Sequence, residues 1–357
     1  MFKLAIKPQW HLARADQRQL LPIVVELLVG IHETGSLAGA CERLGLSYRY
    51  AWGLLQQGHR TFGVPLAESR RGRGAVLTPL GEKLVWADRR IAARLSPMLD
   101  SLASELEVEL ERALSNAQGI LRIHASHGFA VELLKDWLAG QQVPLDVKYR
   151  SSQESLAQLA SGACDVAGFP VPLGEFQEQA LSVYSRWLRP NLHRLICLAT
   201  RRQGLMAAPN NPRSLHELAD LARGDIRFVN RQVGSGTRLL LDLLLKQQEI
   251  DPAAITGYEV TEYTHAAVAA YVASGMADAG FGVETPAKRF GLAFIPLVTE
   301  RYFLVCNAEL LTSATMTRVL ESLRSVEFKS AVNQLPGYDG MSAGTVLTFA
   351  EAFKSFE

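Results

Sequence analysis

The chain has 357 residues, enough for two or three domains, and its 48% apolar content supports ordinary cores and excludes a largely disordered polymer. No apolar run reaches membrane-spanning length, the Met1 end lacks the pattern of an export signal, and Cys41, Cys164, Cys197 and Cys306 lie far apart with no CxxC pair. The expectation is a cytoplasmic protein with free thiols, no membrane partner, no metal site and no resident cofactor.

The net charge of +1 conceals an asymmetry: residues 1–97 hold 14 Lys and Arg against 7 Asp and Glu, and the remainder holds 23 against 29. A basic front on an acidic back is the footprint of a nucleic-acid module joined to something else. Leu20 to Thr34 reads as a helix, with Leu20, Ile23, Val24, Leu27, Leu28 and Ile31 on one face. Ser36 is placed to cap a second helix, in which Leu37, Ala40, Cys41 and Leu44 recur at helical spacing. Gly45 supplies a sharp turn, and Ser47 caps a third helix running to about Phe62. This is the spacing of a DNA-reading helix-turn-helix, whose second helix meets base edges with its first residues, here Tyr48, Arg49 and Tyr50. Ala51, Leu54 and Leu55 should pack inward, with Arg49, Gln56, Gln57 and Arg60 outside.

Glu68 to Thr78 places two short apolar stretches around a Gly- and Arg-rich turn, the pattern of a β-hairpin wing. Its Arg70, Arg71 and Arg73 would meet phosphate or the minor groove. The expected DNA contacts are therefore Ser36, Ser47, Tyr48, Arg49, Tyr50, Arg60, Arg70, Arg71 and Arg73. Thr78-Pro79 opens a further helix. An intermittent leucine stripe follows to about Asn116, and Pro97 should kink or break it.

GSLAGACERLGLSYRYAW resembles the molybdate-responsive ModE regulators, and FGVPL with RRGRGAVLTPLGEKL resembles the LysR-type regulators. The resemblance covers about residues 20–85. It implies a winged helix-turn-helix over 1–82, a linker helix over 83–117 that pairs two subunits, and a homodimer or homotetramer on double-stranded DNA.

From residue 118 strands and helices alternate. Ile120–Ala125, Leu145–Tyr149, Asp165–Phe169, Arg194–Ala199, Ile226–Asn230, Ala277–Gly282 and Arg301–Asn307 read as strands, and Phe129–Ala139 and Ser152–Ser161 as helices. The pattern implies an α/β fold with mostly parallel sheets, whose ligands bind beyond the carboxyl ends of the strands. Several strand ends open into helices through small or polar residues: Ser126-His127-Gly128, Gly234-Ser235-Gly236-Thr237-Arg238 and Thr264-His265. Glycines permit close backbone approach, hydroxyls donate, and a helix N-terminus favours an anion. Arg238 either faces that anion or pairs with Asp242 one turn on, and each histidine is either a ligand or a core residue. Gly340-Met341-Ser342-Ala343-Gly344 matches a hydrolase elbow, yet no His or Asp follows Ser342 as that chemistry requires, so no enzyme is expected.

ASHGF, DVAGFP, NRQVGSGTR, YTHAAVAAYVASGMADAGFGVE, FIPLVTERYFLV and LPGYDG together resemble the periplasmic-binding-protein-like domain of molybdate-type regulators and tungstate-binding proteins. That resemblance implies two lobes, about 119–196 with 300–357 and about 197–299, around a cleft. The residues it points to are Ser126, His127, Gly168, Ser235, Gly236, Thr237, Arg238, His265 and Gly282. It implies a regulator sensing molybdate or tungstate, with a molybdenum cofactor or a carboxylate metabolite as the second sensor reading. An oxyanion storage protein tethered to DNA is the alternative of another class.

Overall fold

A computed structural model describes residues 4–10, 12–13, 19–70, 74–114 and 120–353. The chain divides into two compact units, Lys7–Leu95 and Ser96–Glu357 together with Met1–Ile6. No helix among the described residues is long and apolar enough to cross a membrane.

In the first unit a short antiparallel pair, β1 (Leu12–Ala13) and β2 (Gln19–Leu20), precedes three helices, α1 (Pro22–Thr34), α2 (Leu37–Leu44) and α3 (Tyr48–Phe62). Pro22 sets the start of α1 two residues later than the apolar pattern suggests, while Leu20 stays in the core from β2. Gly35 and Gly45 adopt φ of 68° and 66°, which lets the chain turn sharply between the helices. Val24, Leu27, Leu28, Ile31, Leu37, Ala40, Ala51, Leu54 and Leu55 bury one apolar face of each helix. The hairpin β3 (Ala67–Arg70) and β4 (Gly74–Leu77) follows, then α4 (Pro79–Leu114). Pro97 lies inside α4 without ending it, so of the expected break or kink the break does not occur. The turns beyond it are held elsewhere: Ser101 Oγ donates to Pro97 O at 2.7 Å and accepts from Tyr149 N at 3.0 Å.

The second unit runs β5 (Leu121–Ala125), α5 (Phe129–Gly140), β6 (Leu145–Tyr149), α6 (Ser152–Ala160), β7 (Val166–Pro172), α7 (Gln177–Tyr184) and β8 (His193–Ala207). Then come β9 (Phe228–Arg231), α8 (Gly236–Gln247), β10 (Thr261–Glu262), α9 (His265–Ala273), β11 (Ala279–Val283) and α10 (Glu284–Arg289). It closes with β12 (Ala293–Asn307), α11 (Ala314–Arg324), α12 (Val326–Asn333), β13 (Tyr338–Asp339), β14 (Val346–Leu347) and α13 (Phe349–Ala352). The sheet order is β10-β9-β11-β8-β12-β7-β5-β6, with β13 and β14 also on β8.

Its two ends are parallel, β5 with β6 and β7, and β9 with β10 and β11. The centre is antiparallel, which corrects the mostly parallel expectation: β8 and β12 pair with each other over fifteen residues each and run antiparallel to β11 and β7. The sequence showed only one end of each, because Arg201, Arg202, Gln203, Pro296 and Glu300 interrupt the apolar run. Separate cores lie toward the two ends of this crossing pair. One contains Ile123, Leu134, Val147, Val166 and Phe328; another contains Phe228, Leu240, Leu244, Phe281 and Ile255.

The second half of α4 lies along β6. Ser104 Oγ accepts from Val147 N at 2.9 Å, beside the Ser101 contact to Tyr149, and satisfies buried amides that β6 would otherwise leave unpaired. Replacing Ser104 with Ala should cost about 1–3 kcal/mol in urea unfolding. Lys148→Ala, which removes a 3.4 Å ion pair to the exposed Glu105, should change stability by less than about 1 kcal/mol.

Candidate functional site

In the first unit Ser36 Oγ accepts from Gly39 N at 3.0 Å and Ser47 Oγ accepts from Tyr50 N at 3.2 Å, so both serines act as helix caps. Tyr48, Arg49 and Tyr50 are exposed at the start of α3, with Tyr48 at 59% and Tyr50 at 53%, and Arg60 is exposed near its end. Gln57, expected outside, is half-buried because it borders the packed face. Arg71, Arg73 and the side chain of Arg70 lie outside the described residues.

In the second unit β5, β9 and β10 each lead from a carboxyl end into the first turn of a helix, α5, α8 and α9. Ser126 N donates to Tyr302 OH at 3.2 Å, and its Oγ lies 2.9 Å from the same oxygen. Ser235 caps α8 by accepting from Arg238 N at 3.2 Å. Gln203 Nε2 donates to Thr237 Oγ1 at 3.0 Å and to Glu300 Oε1 at 2.8 Å, and Arg201 Nε donates to that carboxylate oxygen at 2.5 Å. Arg201 and Glu300 face each other across the β8–β12 register and are 3% and 0% exposed. Arg201 also approaches the start of α5, its Nη1 lying 3.1 Å from where a Cβ on Gly128 would sit.

Arg231, at the end of β9, is 2% exposed. Its Nη2 donates to Tyr263 O at 2.9 Å, while Nε and Nη1 find no acceptor among the described residues. Burial first, then the charge of Arg201, pushes its pKa down to about 9, with Glu300 opposing; the group stays charged at neutral pH. A buried cation with two of its three donor nitrogens unmatched carries a desolvation cost that an added anion offsets.

The histidines contribute no charge. Burial first, then Arg231 and Lys135, pushes His127 down to about 4, and burial with Arg231, Arg201 and His127 holds His265 well below the usual histidine range. His265 Nδ1 accepts from Val283 N at 3.4 Å, which leaves its proton on Nε2. His127 stacks edge-on against Tyr149 at 4.8 Å, with its Nε2 buried and unpartnered. Glu300 Oε2 and Gln203 Oε1 are likewise without a partner among the described residues. The arrangement therefore offers donors to an anion from Arg231 and neutral imidazole, above a floor holding two open acceptors.

Of the residues singled out in the sequence, Ser126, His127, Thr237 and His265 join this network. Gly168 and Gly282 make room for it: a Cβ on Gly168 would lie 2.7 Å from Tyr302 OH, and one on Gly282 would lie 2.8 Å from His265 Nδ1. Gly236 similarly admits Pro170. Arg238 takes the structural alternative, with Nε 2.9 Å from Asp242 Oδ1 and its guanidinium 4.1 Å over the Tyr258 ring. Arg201, Gln203, Glu300 and Tyr302 were not singled out, their one signal being charge or polarity inside apolar strand sequence, and Arg231 lay within the NRQVGSGTR run without a role of its own.

The PBP superfamily domain pattern matches residues 133–324, more than half of the chain. This chain belongs to the PBP superfamily. Residues 24–82 match the bacterial regulatory helix-turn-helix protein, lysR family, so a LysR-type helix-turn-helix domain precedes the PBP-like domain. The uncharacterised protein YvgK of Bacillus subtilis (strain 168) is 35% identical over 210 residues, 58% of this chain and 66% of YvgK. The molybdenum-pterin-binding protein MopB of Rhodobacter capsulatus is 32% identical over 130 residues, 35% of this chain and 47% of MopB. The matches thus span less than two thirds of either relative's length. CbnR, a LysR family transcriptional regulator of known structure, is 18% identical, with a TM-score of 0.39 over 85% of this chain and 97% of CbnR.

His127 and His265, with the buried His124 that burial and nearby cations also push to about 4, are neutral in the fold and titrate normally once unfolded. Their folded pKa values lie below the unfolded 6.5, so the stability they permit is present above about 6.5 and is lost as pH falls toward 4. Urea unfolding at stepped pH should show this acid limb, and His127→Gln should shrink it by about 2–3 kcal/mol at pH 4.

Proposed function

We propose that this PBP-superfamily chain is a one-component, ligand-responsive transcriptional regulator. Its helix-turn-helix binds a double-stranded DNA operator, and its PBP-like domain binds a small anion. The observation that carries the ligand class is Arg231, a buried cation with two unpartnered donor nitrogens beside neutral His127 and His265. Leu95, Met98, Leu102, Leu106 and Leu110 form an exposed apolar stripe on α4 that fits pairing with the same helix of a second copy. A dimer then reads an inverted repeat. The ligand changes DNA affinity only by its difference in affinity for the two states of the protein.

Molybdate and tungstate are the first candidates. Both are compact dianions suited to arginine donors and helix-start N–H groups, and MopB is named for binding molybdenum-pterin. A second reading is an anion that brings its own hydrogen-bond donor, such as a hydroxycarboxylate metabolite or a molybdenum cofactor. Glu300 Oε2 and Gln203 Oε1 favour it, because a fully deprotonated tetrahedral anion offers them only repulsion.

A thermal-shift panel on the full chain with molybdate, tungstate, sulfate and small hydroxycarboxylates tests the ligand class. A true effector at a hundredfold excess over its Kd should stabilise by about 2.7 kcal/mol. Arg231→Met should lose that shift while the unliganded protein melts no lower than the parent, since an unpaired buried charge is gone. Binding without any change in operator affinity would favour storage over sensing. Arg49→Ala should weaken operator binding more than binding to unrelated duplex; equal loss on both would put Arg49 on phosphate.

A further inference from the structure

Gly53 sits in the middle of α3 with nothing among the described residues to explain it. The buried face of this helix is Ala51, Leu54, Leu55, Gly58 and Thr61. The opposite face carries Arg49, Trp52, Gly53, Gln56 and Arg60, all exposed. A glycine in a helix interior is less favourable than alanine, so a packing reason is usually visible. Other helix glycines of this unit have one. A Cβ on Gly30 would lie 3.0 Å from Ala40 Cβ, and one on Gly39 would lie 2.9 Å from Thr34 Cβ. Gly58 is closed off by Leu66 Cδ1, and Gly81 by the carbonyl oxygen of Leu66. A Cβ on Gly53 would meet nothing within 4 Å among the described residues, and Gly53 has no left-handed backbone to require it.

We propose that Gly53 is the point of closest approach between α3 and duplex DNA. An α-helix with its side chains is about 10–12 Å across and the major groove about 12 Å wide, so one missing side chain on the groove side lets the helix axis sit deeper. The charge fits the partner: Arg49 stands one turn before Gly53 and Arg60 two turns after, within residues 1–97, which hold 14 Lys and Arg against 7 Asp and Glu. Trp52 and Gln56 flank the gap, so an apolar edge and an amide reach base edges from either side of it. The inference deepens the regulator reading and rests on it. It adds a specificity position made of absent atoms, and assigns Trp52 and Gln56 to the reading face.

The test uses the full-length protein, a duplex that the parent selects from a random pool, and the variants Gly53→Ala and Gly53→Leu. Both replace glycine with a better helix former, so both should melt no lower than the parent, with Gly53→Ala about 2–4 °C higher. On the selected duplex, fluorescence anisotropy should show binding about tenfold weaker for Gly53→Ala and lost for Gly53→Leu. Anion-induced stabilisation of the PBP-like domain should be unchanged in both. If both variants bind the selected duplex within about twofold of the parent, the proposal is overturned and the regulator reading stands. If the parent selects no duplex at all, both fall together.

Discussion

Arg201 and Glu300 join the two strands that the whole second unit shares. They face each other where β8 and β12 pair, out of reach of water, and the carboxylate gathers Gln203 and, through it, Thr237 at the start of α8. Such a pair repays its own desolvation only while both members are present; removing one leaves a charge that costs about 3–5 kcal/mol. The cores on either side then meet across a fixed polar floor. A site built on that floor inherits its geometry from strands rather than from loops.

Arg231 lacks the carboxylate partner that Arg201 has in Glu300. It has one backbone acceptor, no carboxylate within ion-pair distance among the described residues, and a neighbour of like charge in Arg201. Marginal stability leaves little room for such an arrangement without a use. The neutral state of His127 and His265 follows first from burial and then from the same charges, so the two histidines serve as neutral polar groups and not as countercharges. Strain of this kind concentrates where a ligand completes the structure.

Most of the first unit was readable from the chain. Ser36, Gly45 and Ser47 are local signals, and each does locally what its chemistry predicts. The helix starts of the second unit were readable for the same reason, since Ser126, Ser235 and Thr264 sit between an apolar strand and an apolar helix. What escaped was the middle of β8 and β12. Periodicity detects a strand by its apolar side chains, and Arg201, Gln203 and Glu300 are buried polar groups whose partners lie about a hundred residues away or more than thirty along the chain. No local pattern carries that information. Arg231 lay inside a run already singled out, yet the glycines and hydroxyls beside it drew the chemistry, and only the count of its acceptors separates it from Arg238, which has Asp242.

The long sheet of the second unit also has a consequence for how the protein keeps to itself. One margin, β10, is two residues long; the other, β6, already spends backbone amides on Ser101 and Ser104 of α4. A strand from another molecule needs a run of open amides and carbonyls to add on. Neither border offers a long one, so an incoming strand finds few open partners on this ten-stranded sheet. The same two serine hydroxyls that join a helix to β6 thereby occupy amides that an added strand would need.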